Sequence, residues 1–240
     1  MKFTIAILLL ALLVTAGCGQ HTATVPKALT AGQHTRCMAP GDELVFDVSM
    51  TQTDVTVRQS DRGTITKTIE AGTSHGPSYR GAIAQTVHVI HRGKDSAGAR
   101  GRVVHWYGQN PSGAVYFLGR RESGASWAVA RNATQCMDVP PILTGASSWG
   151  YTARLTGGHS ETISYKIVGV EKVNTPAGVF EAYKTRWNAT KADGTLMSGY
   201  LWIRPEFPLG IKTDTHITSA VAPGKTVHVV ENLKSYHFAN

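Results

Sequence analysis

The sequence predicts an all-β protein, an antiparallel meander forming a curved half-barrel or a two-layer sheet, with few or no helices. Three observations carry this reading. From Gly41 onward apolar residues recur at a period of two, the spacing of a half-buried strand. Gly, Pro and Asp-Gly steps interrupt the runs roughly every ten residues. No segment joins a helical apolar stripe to helix caps.

The first strand is the clearest. Leu44, Phe46, Val48 and Met50 alternate with Glu43, Asp47 and Ser49, with Val45 as the exception. Val55, Val57, Ile65 and Ile69 continue the pattern. "IAQTVHVIHR" and "GRVVHWYGQ" read as a hairpin across "GKDSAGA", and "GAVYFLGRR" follows. Arg80 to Arg92 comes nearest to a helix, but its β-branched residues favour a strand. Glu122 to Ser148 is irregular and rich in Ser, Ala and Pro. Five further runs come after it: "SETISYKIVGVEKV", "GVFEAYKTRWNAT", "GTLMSGYLWI", "GIKTDTHIT" and "KTVHVVENLKSYHF".

The turns have their own chemistry. "APG" at 39–41 and again at 222–224 fits a type II turn, with Pro presetting φ and Gly taking φ > 0. "NPSG" at 110–113 and "TPAG" at 175–178 place Pro second and Gly fourth, as in a type I turn. "KADGT" carries the Asp-Gly hairpin signal.

Several strands are apolar on both faces. "VVHWY" sets Val103, His105 and Tyr107 against Val104 and Trp106; "YLWI" sets Tyr200 and Trp202 against Leu201 and Ile203. A one-sided sheet would alternate. Both faces must therefore be covered: by a second sheet, by a lid segment such as Ser123–Ser148, or by curvature around a hydrophobic hollow. A filled two-layer core is the alternative. Trp106, Tyr116, Phe117, Trp187, Tyr200 and Trp202 are the candidate ligand-lining residues, or else ordinary core.

The N-terminus reads as a targeting segment. Lys2 precedes an apolar run from Ile5 to Val14, shorter than the roughly 20 residues a membrane span needs. "VTAGCGQ" resembles the lipobox of bacterial lipoproteins, with Cys18 as the lipidated residue and Thr15 where Leu is usual. Cleavage after Val14-Thr15-Ala16, releasing a soluble periplasmic or secreted protein, is the competing reading. The expected organisation is a signal peptide at 1–17, a lipid-anchored flexible tether at 18–38 and a single antiparallel β domain at 39–240. Gly19 after the cysteine resembles the outer-membrane sorting signal of Gram-negative lipoproteins, which would place the domain in the periplasm. The formal net charge is +8. It is densest in "HRGKDSAGARGR" and suits anionic envelope components. No nucleic-acid recognition motif is present.

Cys37 and Cys136 form an even pair in an oxidising compartment, so a disulfide is expected. Closing so long a loop is worth about 4–5 kcal/mol in the chain-entropy model. Two unpaired thiols are the alternative.

Catalytic patterns are sparse. "GTSHG" at 72–76 matches G-x-S-x-G with Ser74 as nucleophile, but Pro77 and a β-rich run follow where the motif needs a helix. His88 and His91 are three apart on a strand and so face opposite ways. His105 and His228 stand alone, and no metal quartet or cofactor loop is evident. Glu161, Glu171 and Glu181 suggest no paired-carboxylate site. Asn132 and Asn188 fit glycosylation sequons that a bacterial export signal makes idle.

"WYGQNPSGAVYFLG" (Trp106 to Gly119) resembles a Trp-Tyr-x-Gln…Gly-x-Val-x-Tyr/Phe-x-Gly hairpin of uncharacterised secreted and lipid-anchored bacterial β proteins. Those proteins continue with a Pro-containing linker, a Gly-x-x-Trp/Tyr start, a "TPAGxF" turn and an aromatic strand ending in Pro…Gly. Here "PPILTGASSWGY", "TPAGVF" and "YLWIRPEFPLGIK" supply these parts in order. More distantly, the arrangement is similar to the half-barrel carriers of the LolA/LolB type, which implies a concave face for acyl chains. The closer family brings no catalytic residues. The resulting expectation is a non-enzymatic envelope lipoprotein that binds a lipid, a glycan or an envelope protein partner. A purely structural lipoprotein without a cavity and a serine hydrolase using Ser74 are the alternatives.

Overall fold

The alternation at Glu43 to Met50 becomes the first strand of one continuous antiparallel sheet. The computed structural model describes Leu29 and residues 33–54, 57–72, 83, 85–98, 100–145, 147–222 and 224–239. Cys18 and Ser74 lie outside the described residues, so their expected roles rest on sequence alone. The strands are β1 (Glu43–Thr53), β2 (Arg58–Ala71), β3 (Gln85–Asp95), β4 (Arg100–Gln109), β5 (Val115–Glu122), β6 (Ala128–Val129) and β7 (Met137–Val139). They continue with β8 (Ser148–Arg154), β9 (Ser160–Thr175), β10 (Gly178–Lys191), β11 (Leu196–Arg204), β12 (Phe207–Thr218) and β13 (Thr226–His237). Short 3-10 turns at Ala133–Gln135 and Thr156–Gly158 complete the described elements.

The spatial order is β6-β5-β4-β3-β2-β1-β13-β12-β11-β10-β9-β8, with β7 paired to β5. Almost every pair is sequential, as in the expected meander. Besides the local β5–β7 pair, the exception joins the first and last strands: β1 pairs with β13 from Glu43↔His237 to Thr53↔Thr226. The sheet then curls until its outer strands nearly meet. An isolated bridge joins Ala130 to Leu155, and the Arg131 amide donates to the Arg154 carbonyl at 2.7 Å. The half-barrel expectation is thus refined to a nearly closed barrel.

The predicted turns form where the sequence puts them. The Asp42 amide bonds the Ala39 carbonyl at 3.0 Å, with Gly41 at φ 96°. The Gly113 amide bonds the Asn110 carbonyl at 2.9 Å, closing "NPSG". "TPAG" is a two-residue hairpin loop: Thr175 and Gly178 pair across it, and the Thr175 hydroxyl donates to the Gly178 carbonyl at 3.1 Å.

The two-faced strands divide between lumen and cover. On β4, Val103, His105 and Tyr107 share the inner face. Trp106 points outward and lies under Trp127, which also stacks on His88 at 5.4 Å. The lid expected at Ser123–Ser148 therefore covers this part of the outer surface. On β11 the aromatic face is covered by lysines: Lys184 and Lys212 lie over the Trp202 ring at 5.4 and 4.8 Å, and the Trp202 indole donates to Glu171 at 2.6 Å.

Two sequence expectations are corrected. Cys37 and Cys136 form no disulfide. The Cys37 thiol contacts the Asn110 carbonyl at 3.5 Å, whereas Cys136 is buried and directed at the Asn132 carbonyl at 3.4 Å. Separate hydrogen bonds, rather than a cross-link, satisfy them. The folded chain also begins before residue 39. Thr35 and Met38 are buried, the Thr35 amide bonds the Pro141 carbonyl, and the Arg36 amide bonds the Pro205 carbonyl. Gln109 pins Met38 from both sides, accepting its amide at 2.9 Å and donating to its carbonyl at 2.6 Å. A polar, period-free sequence hid this docking, because backbone groups rather than apolar side chains carry it.

Candidate functional site

Strand alternation sends one set of side chains into the barrel. Leu44, Phe46, Val48 and Met50 of β1 share that inner face with Ile65 and Lys67 of β2, because Phe46 pairs with Ile65 and Leu44 with Lys67. The inner face differs along the barrel axis. Toward Met50 it encloses a cavity of about 280 Å3, lined by Val48, Met50, Trp187, Met197, Ile217 and Val229. Asp61, Arg62, Lys94 and Asp95 stand at its rim. The opposite end of the barrel holds the N-terminal segment, since Met38 bonds Gln109 at the end of β4 and Asp42 bonds Ala239 after β13. The mouth therefore opens away from the point where the chain enters the fold.

Next to the cavity the lumen turns polar. Glu231, a cavity-lining residue, accepts from Lys67 at 2.8 Å, and the Lys67 ammonium sits 4.2 Å above the Phe46 ring. His91 pairs with Lys67 across β2 and β3, and its ring lies 4.6 Å from His105. Arg120 and Glu161 form a second ion pair at 2.6 Å. Farther round, Asp138 accepts from the Tyr151 and Tyr165 hydroxyls at 3.1 and 2.8 Å, and its carbonyl accepts from the Trp149 indole.

Burial sets the charge states. It drives His105 down to about 3, helped by the Arg120 and Lys67 cations. His91 falls well below its usual range through burial, with His105 and Lys67 adding to the effect. Burial also raises Asp138, outweighing its two tyrosine hydrogen bonds. The lumen thus presents neutral imidazoles and phenols between neutralised ion pairs. Among the described residues, the buried His91 Nε2 and Thr185 Oγ1 have no hydrogen-bond partner. Both belong to inward-facing register positions, buried behind the cavity wall rather than on it. This gives an apolar sleeve above a floor of hydrogen-bonding groups.

The six aromatic candidates do not converge. Trp187 lines the cavity. Phe117 faces the lumen farther along, stacked on Tyr151 at 6.3 Å and edge-on to His105. Trp106 is buried under Trp127, and Tyr116 packs at the edge of the same core. Tyr200 and Trp202 meet the lysines of the outer surface. The cavity wall is instead mainly aliphatic, and its members were visible in sequence only as alternating strand positions.

The histidine reading is corrected at two places, since His105 packs against His91. His228 does not stand alone: it pairs with His216 across β12 and β13, and Asp214 lies on the same face. The "DTH" spacing of residues 214–216 was the available signal, and the partner strand could not be assigned without the register.

No family model matches the chain, and no curated protein matches it. Solved structures show distant likenesses. A chain from Parabacteroides distasonis ATCC 8503, provisionally described as a lipoprotein, aligns at 11% identity and TM-score 0.41, covering 87% of this chain and 100% of that one. A chain from Bacteroides fragilis NCTC 9343, provisionally described as an exported protein with a YmcC-like fold, aligns at 13% identity and TM-score 0.36, covering 85% and 99%. A DUF1329 family protein from Desulfovibrio piger ATCC 29098 aligns at 8% identity and TM-score 0.23, covering 83% and 86%.

Proposed function

We propose that this protein is a non-enzymatic, lipid-anchored component of a bacterial envelope that holds the apolar part of an amphipathic envelope molecule in the barrel lumen. The observation that carries the reading is the aliphatic cavity of about 280 Å3 beside the Lys67–Glu231 pair. Its volume falls just below the range of small-molecule sites, about 300–1,000 Å3, as suits one acyl chain rather than a whole ligand. The mixed charges of Asp61, Arg62, Lys94 and Asp95 at the mouth suit a polar headgroup left in water. Anchorage through Cys18 would place the membrane on the N-terminal side of the barrel, with the mouth facing into the periplasm. An outer-membrane location follows the Gly19 sorting resemblance.

The test is photocrosslinking in cells. A photoreactive phenylalanine replaces Met197 inside the cavity or its exposed neighbour Leu196. The reading expects a lipid- or glycan-mass adduct at position 197 and none at 196. A protein adduct at 197 supports the partner-docking alternative, and the absence of any adduct at 197 refutes lumenal binding.

A further inference from the structure

On the outer face of the barrel, away from the lumen, three metal-ligating side chains converge. Thr213 and Thr215 line the cavity, so the intervening Asp214 and the following His216 point outward. Register places His228 directly opposite His216. The two imidazoles stack in parallel, 4.2 Å between centroids and 4° between planes. Both Nε2 atoms approach one carboxylate oxygen: Asp214 Oδ1 is 2.8 Å from His228 and 3.5 Å from His216. All three donor atoms lie within 4.8 Å of one another.

From this geometry we infer a divalent transition-metal site of the zinc type formed by Asp214, His216 and His228. Metal–nitrogen and metal–oxygen bonds of about 2.0–2.2 Å separate donors in a tetrahedral site by about 3.3–3.5 Å. The present separations already bracket that range, so small rotamer adjustments on a fixed two-strand frame suffice. Two imidazoles and one carboxylate suit zinc and its neighbours better than calcium or magnesium, which prefer all-oxygen shells. The fourth position faces outward, because His216 is 63% exposed and His228 39% exposed. Water or a donor from another molecule fills it. A bound ion would clamp β12 to β13 on the outside of the lumen wall.

The experiment is calorimetric titration of zinc sulfate into the full chain, extracted in mild detergent and stripped with a chelator. A cobalt titration followed by visible absorption gives an independent readout of the ligand field. The site predicts one saturable equivalent of zinc and a tetrahedral cobalt band. His216→Ala and His228→Ala each weaken zinc at least about tenfold and remove the band. His159→Ala, at another surface position, leaves both unchanged. These residues line neither core nor cavity, so the variants should keep the wild-type far-ultraviolet spectrum; His216→Gln and His228→Gln repeat the test where an alanine variant does not. No saturable zinc binding, or unchanged affinity in both histidine variants, overturns the assignment.

Discussion

Replacing Glu231 with Met leaves the Lys67 ammonium inside the barrel without its anion. The Lys67 side chain is 7% exposed and that of Glu231 14%, with 2.8 Å between the charged atoms. At an effective dielectric of about 20, such a pair gains about 6 kcal/mol of gross Coulomb energy. Desolvation costs several kcal/mol per ion, so the intact pair nets close to zero. Removing one partner forfeits the attraction and keeps the other ion's desolvation, typically 3–5 kcal/mol. The Phe46 ring, 4.2 Å from the ammonium, is in contact with it before and after the substitution and leaves this difference unchanged. Glu231→Met should therefore destabilise the fold by about 3–5 kcal/mol. Lys67→Met with Glu231→Met should recover most of this loss, because two apolar side chains of similar volume need no pairing. Urea unfolding of the two single variants and the double variant gives the coupling energy directly. A coupling below about 1 kcal/mol, with single losses simply adding, would refute the buried-pair reasoning.

Other outcomes follow from the same structure. His105 is held at about 3, below an unfolded value of about 6.5, so the unfolded chain binds the extra proton in between. Its contribution is present above pH 6.5 and is lost as pH falls toward 3; His105→Phe should flatten that limb of an acid unfolding curve. Burial raises Asp42, but hydrogen bonds from Arg36 and the Ala39 and Ala239 amides outweigh it and hold the carboxyl below its usual range. That contribution is present above about pH 3.9 and disappears as pH drops through the lower folded value; Asp42→Asn should remove it and cost about 2–3 kcal/mol in urea titration. Gln109→Leu strands the Met38 amide and carbonyl and should cost about 2–4 kcal/mol, with faster proteolysis near residue 38 as the readout. Gly113 has φ 93°, and a side chain there would press on the Thr35 carbonyl, so Gly113→Ala should lower Tm by several degrees in a thermal melt.

Much of the fold was legible because strands and turns are local. The alternation of Leu44 to Met50 and the Pro-Gly spacing of "APG" and "NPSG" each specify their own few residues. Pairing of β1 with β13 was not legible, since no local signal links Glu43 to His237. The same non-locality explains the site. Trp187 stood out as an aromatic, whereas Met197, Ile217 and Val229 resembled any inward strand residue until curvature gathered them. His216 and His228 became neighbours only through register. Cys37 and Cys136 misled because their number and compartment suggested a bond, while the fold gives each thiol its own carbonyl.

The central claim is that the lumen holds an apolar guest, and native mass spectrometry of the full chain after mild extraction tests it most directly. Wild type should carry a co-purified lipid- or glycan-mass species. Val229→Trp, which fills the cavity from the wall position beside Met50, should fold equally well and lose that species. A bare wild-type protein, or an equal load on Val229→Trp, would contradict the account.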